Sequence, residues 1–160
     1  MLAVDADRQT QIKVQIDDNV TWLSFTHALT FACAAQELCT RYPQWWPSVL
    51  LQLSCFVGRN LRYTPDDSEA PTQTWSVPDP HEFFARELTA VRNHDAAEFI
   101  VSVHRLKTLR AARPLVGRGL PAPVQEAVLS AVNRYLNLPI GRKQVQRTAY
   151  QAIKFVSKDG

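Results

Sequence analysis

Apolar side chains return every three or four positions through most of the chain, the spacing of helices that each bury one stripe. In VTWLSFTHALTFACAAQELCTRY, Trp22, Phe25, Leu29, Ala32 and Cys33 keep that spacing, and Phe31, Ala35 and Leu38 add a second strip. A helix apolar on two sides belongs at the centre of a fold, and this one is predicted to run from a cap at Asp17 or Asp18 to about Arg41. The run YPQWWP (42–47) ends it, because a residue preceding proline is pushed out of the helical region. The next helix turns Trp46, Val49, Leu50, Leu53, Phe56 and Val57 inward and closes on Gly58.

Asp79-Pro80-His81-Glu82 is a helix start, with Asp as N-cap, Pro at the first helical position and Glu three residues after the cap. Phe84, Leu88 and Val91 mark the buried side of the helix it opens. Asp95 and Glu98 repeat the capping pattern, so a break near Asn93 precedes a further helix to Arg113, whose buried stripe is Ala96, Phe99, Ile100, Val103 and Leu106. Pro114 and the stretch from Gly117 to Pro123 read as loop. Val124, Val128, Ala131 and Tyr135 define another helix, and after the NLPIG turn the last helix directs Val145, Ala149, Ala152, Ile153 and Val156 to the core. Only TQIKVQI (10–16) alternates with strand period, and with no second strand to pair it reads as an extended arm. The expected architecture is all-α: a single-domain bundle of about six helices over residues 1–160, with an N-terminal arm (1–17) and a long Pro-containing surface loop (60–79).

Composition narrows the class. A chain of 160 residues fits one domain that buries roughly 70% of its unfolded surface, and 46% hydrophobic with 21% charged residues describes a globular protein, neither disordered nor membrane-spanning. The first residues, MLAVDADRQTQ, carry two Asp and no hydrophobic segment, which argues against a secretory signal and for a cytoplasmic location. Cys33, Cys39 and Cys55 have no CxxC spacing and read as core thiols in a reducing compartment. No cofactor is expected, and five glycines leave little material for a phosphate loop.

Charge changes the picture more. Residues 1–100 hold 7 Lys+Arg against 13 Asp+Glu, a balance of −6, and residues 101–160 hold 11 against 2, a balance of +9. Such asymmetry suits a basic surface for a polyanion, or complementary halves that meet. On the last helix Lys143, Arg147, Lys154 and Lys158 share the face opposite the apolar one, and the preceding helix with the NLPIG turn suggests a helix-turn-helix with Arg142, Lys143, Gln144, Gln146 and Arg147 at the start of its second helix; the plain alternative is a solvated face. Arg59 stands near the end of the second helix, where positive charge is favoured.

Three further groups carry candidate chemistry. His104, Lys107 and Arg110 cluster on one helix, where Lys107 continues the apolar stripe. They suit a small anion held between helices, with Ser102 and Arg59 as further donors and His104 as acid or base. The alternative is a lysine stem that snorkels to water or pairs with a carboxylate. His94 and Glu98 are one turn apart, a metal-ligand spacing, but only His27 and His81 remain as further imidazoles and helix capping explains the acids equally well. Trp45 and Trp46 are adjacent, so they cannot both face inward; Trp46 fits the core stripe and Trp45 the surface, as a contact for a partner or for a homo-oligomer through an aromatic patch.

Three functions follow as expectations: a non-catalytic binding or assembly protein whose basic C-terminal third contacts an acidic partner, a nucleic-acid-binding regulator or complex subunit, and a small helical enzyme taking an anionic substrate near His104 and Lys107. The expected partner is an acidic protein surface or a nucleic acid, and not a membrane.

Overall fold

A single Thr21–Ser24 turn, with the Thr21 N–H donating to Ser24 Oγ (3.4 Å), starts the first helix. Six helices follow in the computed structural model, which describes residues 12–15, 21–64, 73–92, 99–137 and 144–157. They are α1 (Trp22–Arg41), α2 (Trp46–Leu61), α3 (Pro80–Arg92), α4 (Phe99–Gly117), α5 (Ala122–Asn137) and α6 (Gln144–Val156), with single 3-10 turns at Pro43–Trp45 and Gln73–Trp75. The fold is an all-α bundle with no strand among the described residues. Residues 12–15 of the alternating segment form no strand, and its remaining positions lie outside the described residues, as do the proposed caps Asp17, Asp18, Asp95 and Glu98.

The start of α3 follows its sequence signature: Asp79 Oδ1 accepts the Glu82 N–H at 3.0 Å, with Pro80 at the first helical position. α1 is central, packing on α4 along one side and on α2 along another, while α3 and α5 each pack on α4. The main core joins Trp22 and Phe25 of α1, Phe83 and Phe84 of α3, Leu109 and Ala112 of α4, and Leu129, Val132, Tyr135 and Leu136 of α5. Trp22 and Tyr135 meet with ring centroids 5.8 Å apart. A smaller cluster of Ala35, Cys39 and Val49 seals α1 against α2. Side-chain amides pin the connections: Asn60 Nδ2 donates to Ser24 O, and Asn133 Nδ2 to Trp75 O, both at 3.0 Å.

Several expectations from periodicity are corrected. On α4 the stripe Ile100, Val103 and Leu106 is exposed (58%, 51% and 41%), whereas Ser102, Thr108, Leu109, Ala111 and Ala112 are buried. α4 lies against three helices, so its inward side is set by small residues that allow close approach, and its larger aliphatic residues are left outside. The same helix runs through Pro114 to Gly117, and the chain turns at Gly119, whose φ of 71° is the left-handed region that suits glycine. Gly58 lies inside α2, which continues to Leu61. Trp46, Leu50 and Val57 of that helix are exposed, because only one side of α2 meets α1. Cys55 is exposed and so is not a core thiol, while Cys39 is buried and Cys33 half-buried. α6 has no extensive contact with any other described element, and Ala149, Ala152, Ile153 and Val156 are exposed. Among the described residues no helix is long and apolar enough to cross a membrane.

Candidate functional site

Two places bring chemistry-bearing side chains together, one on each side of α4. The first is a groove between α3 and α4 with a volume of about 570 Å³. Leu88 and Val91 from α3 and Val103 and Leu106 from α4 give it an apolar floor. Arg92 at the end of α3 and Arg110 and Arg113 on α4 stand around that floor. These three guanidiniums have no acidic partner among the described residues; the ion pair found there, Arg86 with Glu87 at 2.9 Å, involves none of them. Ser102 also lines the groove, and its buried hydroxyl has no hydrogen-bond partner among the described residues. A buried hydroxyl without a partner costs about 1–3 kcal/mol relative to a satisfied one. An occupant with an acceptor at that depth would remove the penalty.

The helical repeat explains the assembly. Residues 103, 106, 110 and 113 share one side of α4, and 88, 91 and 92 one side of α3, so two ordinary faces become one trough when the helices pack. A second hollow of about 320 Å³, between Val77 and Leu129, is lined by one ionisable residue, Glu126.

The other place is the seam between α1 and α4. His27 Nε2 and His104 Nε2 lie 3.1 Å apart, with ring centroids at 5.2 Å and planes inclined by 45°. His104 Nδ1 is 2.7 Å from Ile100 O. A carbonyl only accepts, so the Nδ1 of His104 carries a proton and donates it. In the neutral ring Nε2 then keeps its lone pair, and the bridging hydrogen belongs to His27. Burial, and next the neighbouring His104 and the Lys107 ammonium, hold the His27 imidazole below its ordinary pKa, so it is neutral at pH 7. Further along the seam Cys33 Sγ–H donates to Ala111 O at 3.1 Å; burial pushes this thiol up in pKa, which marks a packed group and not an activated nucleophile.

The structure distributes the residues expected from sequence over several surfaces. His104 is half-buried in the seam and Lys107 exposed one turn after it. Arg110 is in the groove, with Ser102. Arg59 is exposed near the end of α2, and Trp45 is 52% exposed at the α1–α2 corner. Lys154 is exposed on α6, its ammonium 5.4 Å from the centre of the Tyr150 ring. Lys143, Lys158, His94 and Glu98 lie outside the described residues, as does the side chain of Arg147. Among the described residues no three His, Cys, Asp or Glu side chains converge as metal ligands.

Sequence reasoning missed Arg92 and Arg113 as members of the groove and His27 as the partner of His104. The first two had a readable signal, the i, i+4 pair of Leu88 and Arg92 and the i, i+3 pair of Arg110 and Arg113, on faces that were assigned to the core. His27 had none, because 77 residues separate it from His104. Comparison of the chain with protein-family models, curated proteins and solved structures finds no match.

Proposed function

We propose that the protein is a non-catalytic helical binding protein whose α3–α4 groove takes an acidic amphipathic helix of a partner protein. The supporting observation is the groove itself, an aliphatic floor of Leu88, Val91, Val103 and Leu106 beside Arg92, Arg110 and Arg113, which have no acidic partner among the described residues. A helix laid in such a trough buries its apolar stripe and sets carboxylates against the guanidiniums, which bind them in bidentate geometry. Single-stranded nucleic acid fits less well, because none of the described residues that line the groove is an aromatic on which a base would stack. The protein's own α6 is a poor occupant: the sequence of this helix and its flanks holds Lys143, Arg147, Lys154 and Lys158, a basic segment that would be set against three arginines.

The test uses a fluorescein-labelled model helix of about 20 residues, leucine along one face and glutamate along the other, beside a lysine version and a labelled DNA oligomer. Micromolar binding of the glutamate peptide alone, weakened at least ~10-fold by Arg110→Glu with Arg113→Glu, is the expected result. No binding of that peptide, or tighter binding of the DNA, would overturn the reading.

A second surface favours self-association as a further part of the same assembly role. Leu38, Tyr42, Trp45, Trp46 and Leu50 are all exposed at the α1–α2 corner. Aromatic residues exposed together are over-represented at interfaces.

A further inference from the structure

We infer that His27 and His104 form an open two-imidazole site for a divalent transition-metal ion of the zinc type. Their Nε2 atoms come from two packed helices and lie 3.1 Å apart. With zinc–nitrogen bonds of about 2.0–2.1 Å, that separation corresponds to an N–Zn–N angle of roughly 100°, between the octahedral and tetrahedral values. The outer hydrogen bond is of the kind metal-ligating histidines make: His104 Nδ1–H donates to Ile100 O, which fixes the ring and leaves Nε2 as the lone-pair nitrogen.

Before binding, the His27 Nε2–H occupies the space between the rings. On binding, His27 moves that proton to its Nδ1 through solvent and presents Nε2 to the metal, so both ligands are neutral imidazoles and no net proton is released. The helix backbones hold the pair in position, since α1 and α4 form the most extensive helix contact in the bundle. No third side chain joins them among the described residues, so water completes the coordination and the affinity is that of a chelating pair. Lys107 acts against the ion: its ammonium is close enough to His27 to disfavour a positive charge there.

This site is independent of the groove, which lies on the other side of α4. Calorimetric titration of the full-length, reduced protein with zinc chloride at pH 7.5 tests it. The expected result is one equivalent bound in the micromolar range, weakened at least ~10-fold by His27→Gln and by His104→Gln and unchanged by His81→Gln and Cys33→Ser. Lys107→Gln should tighten binding by about threefold, the size of a screened charge–charge effect. Nitrogen-15 spectra of the unsubstituted protein give a reading that does not depend on the variants folding: zinc should move two imidazole Nε2 resonances and leave that of His81 in place. Zinc binding that survives both histidine substitutions, or spectra in which the His27 and His104 signals stay still, would overturn the assignment.

Discussion

Leu109 and Leu106 are three residues apart on α4 and have opposite surroundings, one 1% exposed in the core and the other 41% exposed in the groove. Truncation should separate them. Leu109→Ala removes buried carbons and leaves a cavity, at a cost of about 2–5 kcal/mol in denaturant unfolding. Leu106→Ala should cost less than about 1 kcal/mol and register instead as weaker binding of the acidic model helix. Tyr135 supplies a pH test. Burial pushes its phenol up to about 12, with Arg105 pulling weakly the other way. The unfolded phenol ionises near pH 10, so between pH 10 and 12 the folded state holds a proton that the unfolded state has released, and stability must fall as pH rises through that window. The full loss is roughly 2–3 kcal/mol, and Tyr135→Phe should abolish that part of the alkaline decline in unfolding free energy. The burial of Tyr135 followed from its apolar stripe, whereas the contrast between the two leucines was not open to the sequence. Hydropathy favours Ile100, Val103 and Leu106 over Ser102, Thr108 and Ala112 as a core stripe, and only the crossing helices reveal that the inward side of α4 needed small residues.

Helix boundaries were readable wherever a local signal decides them and unreadable where a neighbour does. Asp79 and Pro80 fix the start of α3 by chemistry contained in four residues, and the YPQWWP run ends α1 by proline sterics alone. Asp79→Ala should therefore cost about 1 kcal/mol through the lost acceptor for the Glu82 N–H, measured by chemical denaturation, while Asp79→Asn should retain most of it. Pro114 and Gly58 were weaker signals. Packing against the rest of the bundle carries α4 and α2 through them, since most helical stability in proteins comes from tertiary contacts. α6 marks the other limit of periodicity. Its stripe was clear, but a stripe does not name what covers it, and the described core contains no residue of this helix. A chain ending at Asn137 should retain the helical signal of α1–α5 and unfold within a few degrees of the full protein by circular dichroism; a collapse of the thermal midpoint would show that α6 contributes to the core.

At the scale of the whole molecule, the proposed assembly role rests on charge and apolar surface that the described residues leave uncovered. Among the described residues no carboxylate pairs with the guanidiniums at the groove, where Arg92 joins Arg110 and Arg113. Large aliphatic and aromatic side chains are exposed in three separate regions, the α1–α2 corner, the outer side of α4 and α6, more than single scattered residues would require. The corner is the surface proposed above for a self-contact, because the adjacent, exposed Trp45 and Trp46 would add large area at low entropic cost. Sedimentation velocity across a concentration series should show reversible association that Trp45→Glu with Leu50→Glu prevents, with the unfolding midpoint of the dilute protein little changed because about half of each side chain is already exposed. Salt distinguishes the two surfaces. An apolar self-contact should strengthen or hold as sodium chloride rises, whereas binding of the acidic helix at the groove should weaken, since its guanidinium–carboxylate pairs are screened over about 10 Å at 0.1 M ionic strength. Association that dissolves in salt would move the self-contact from the tryptophans to the charged residues.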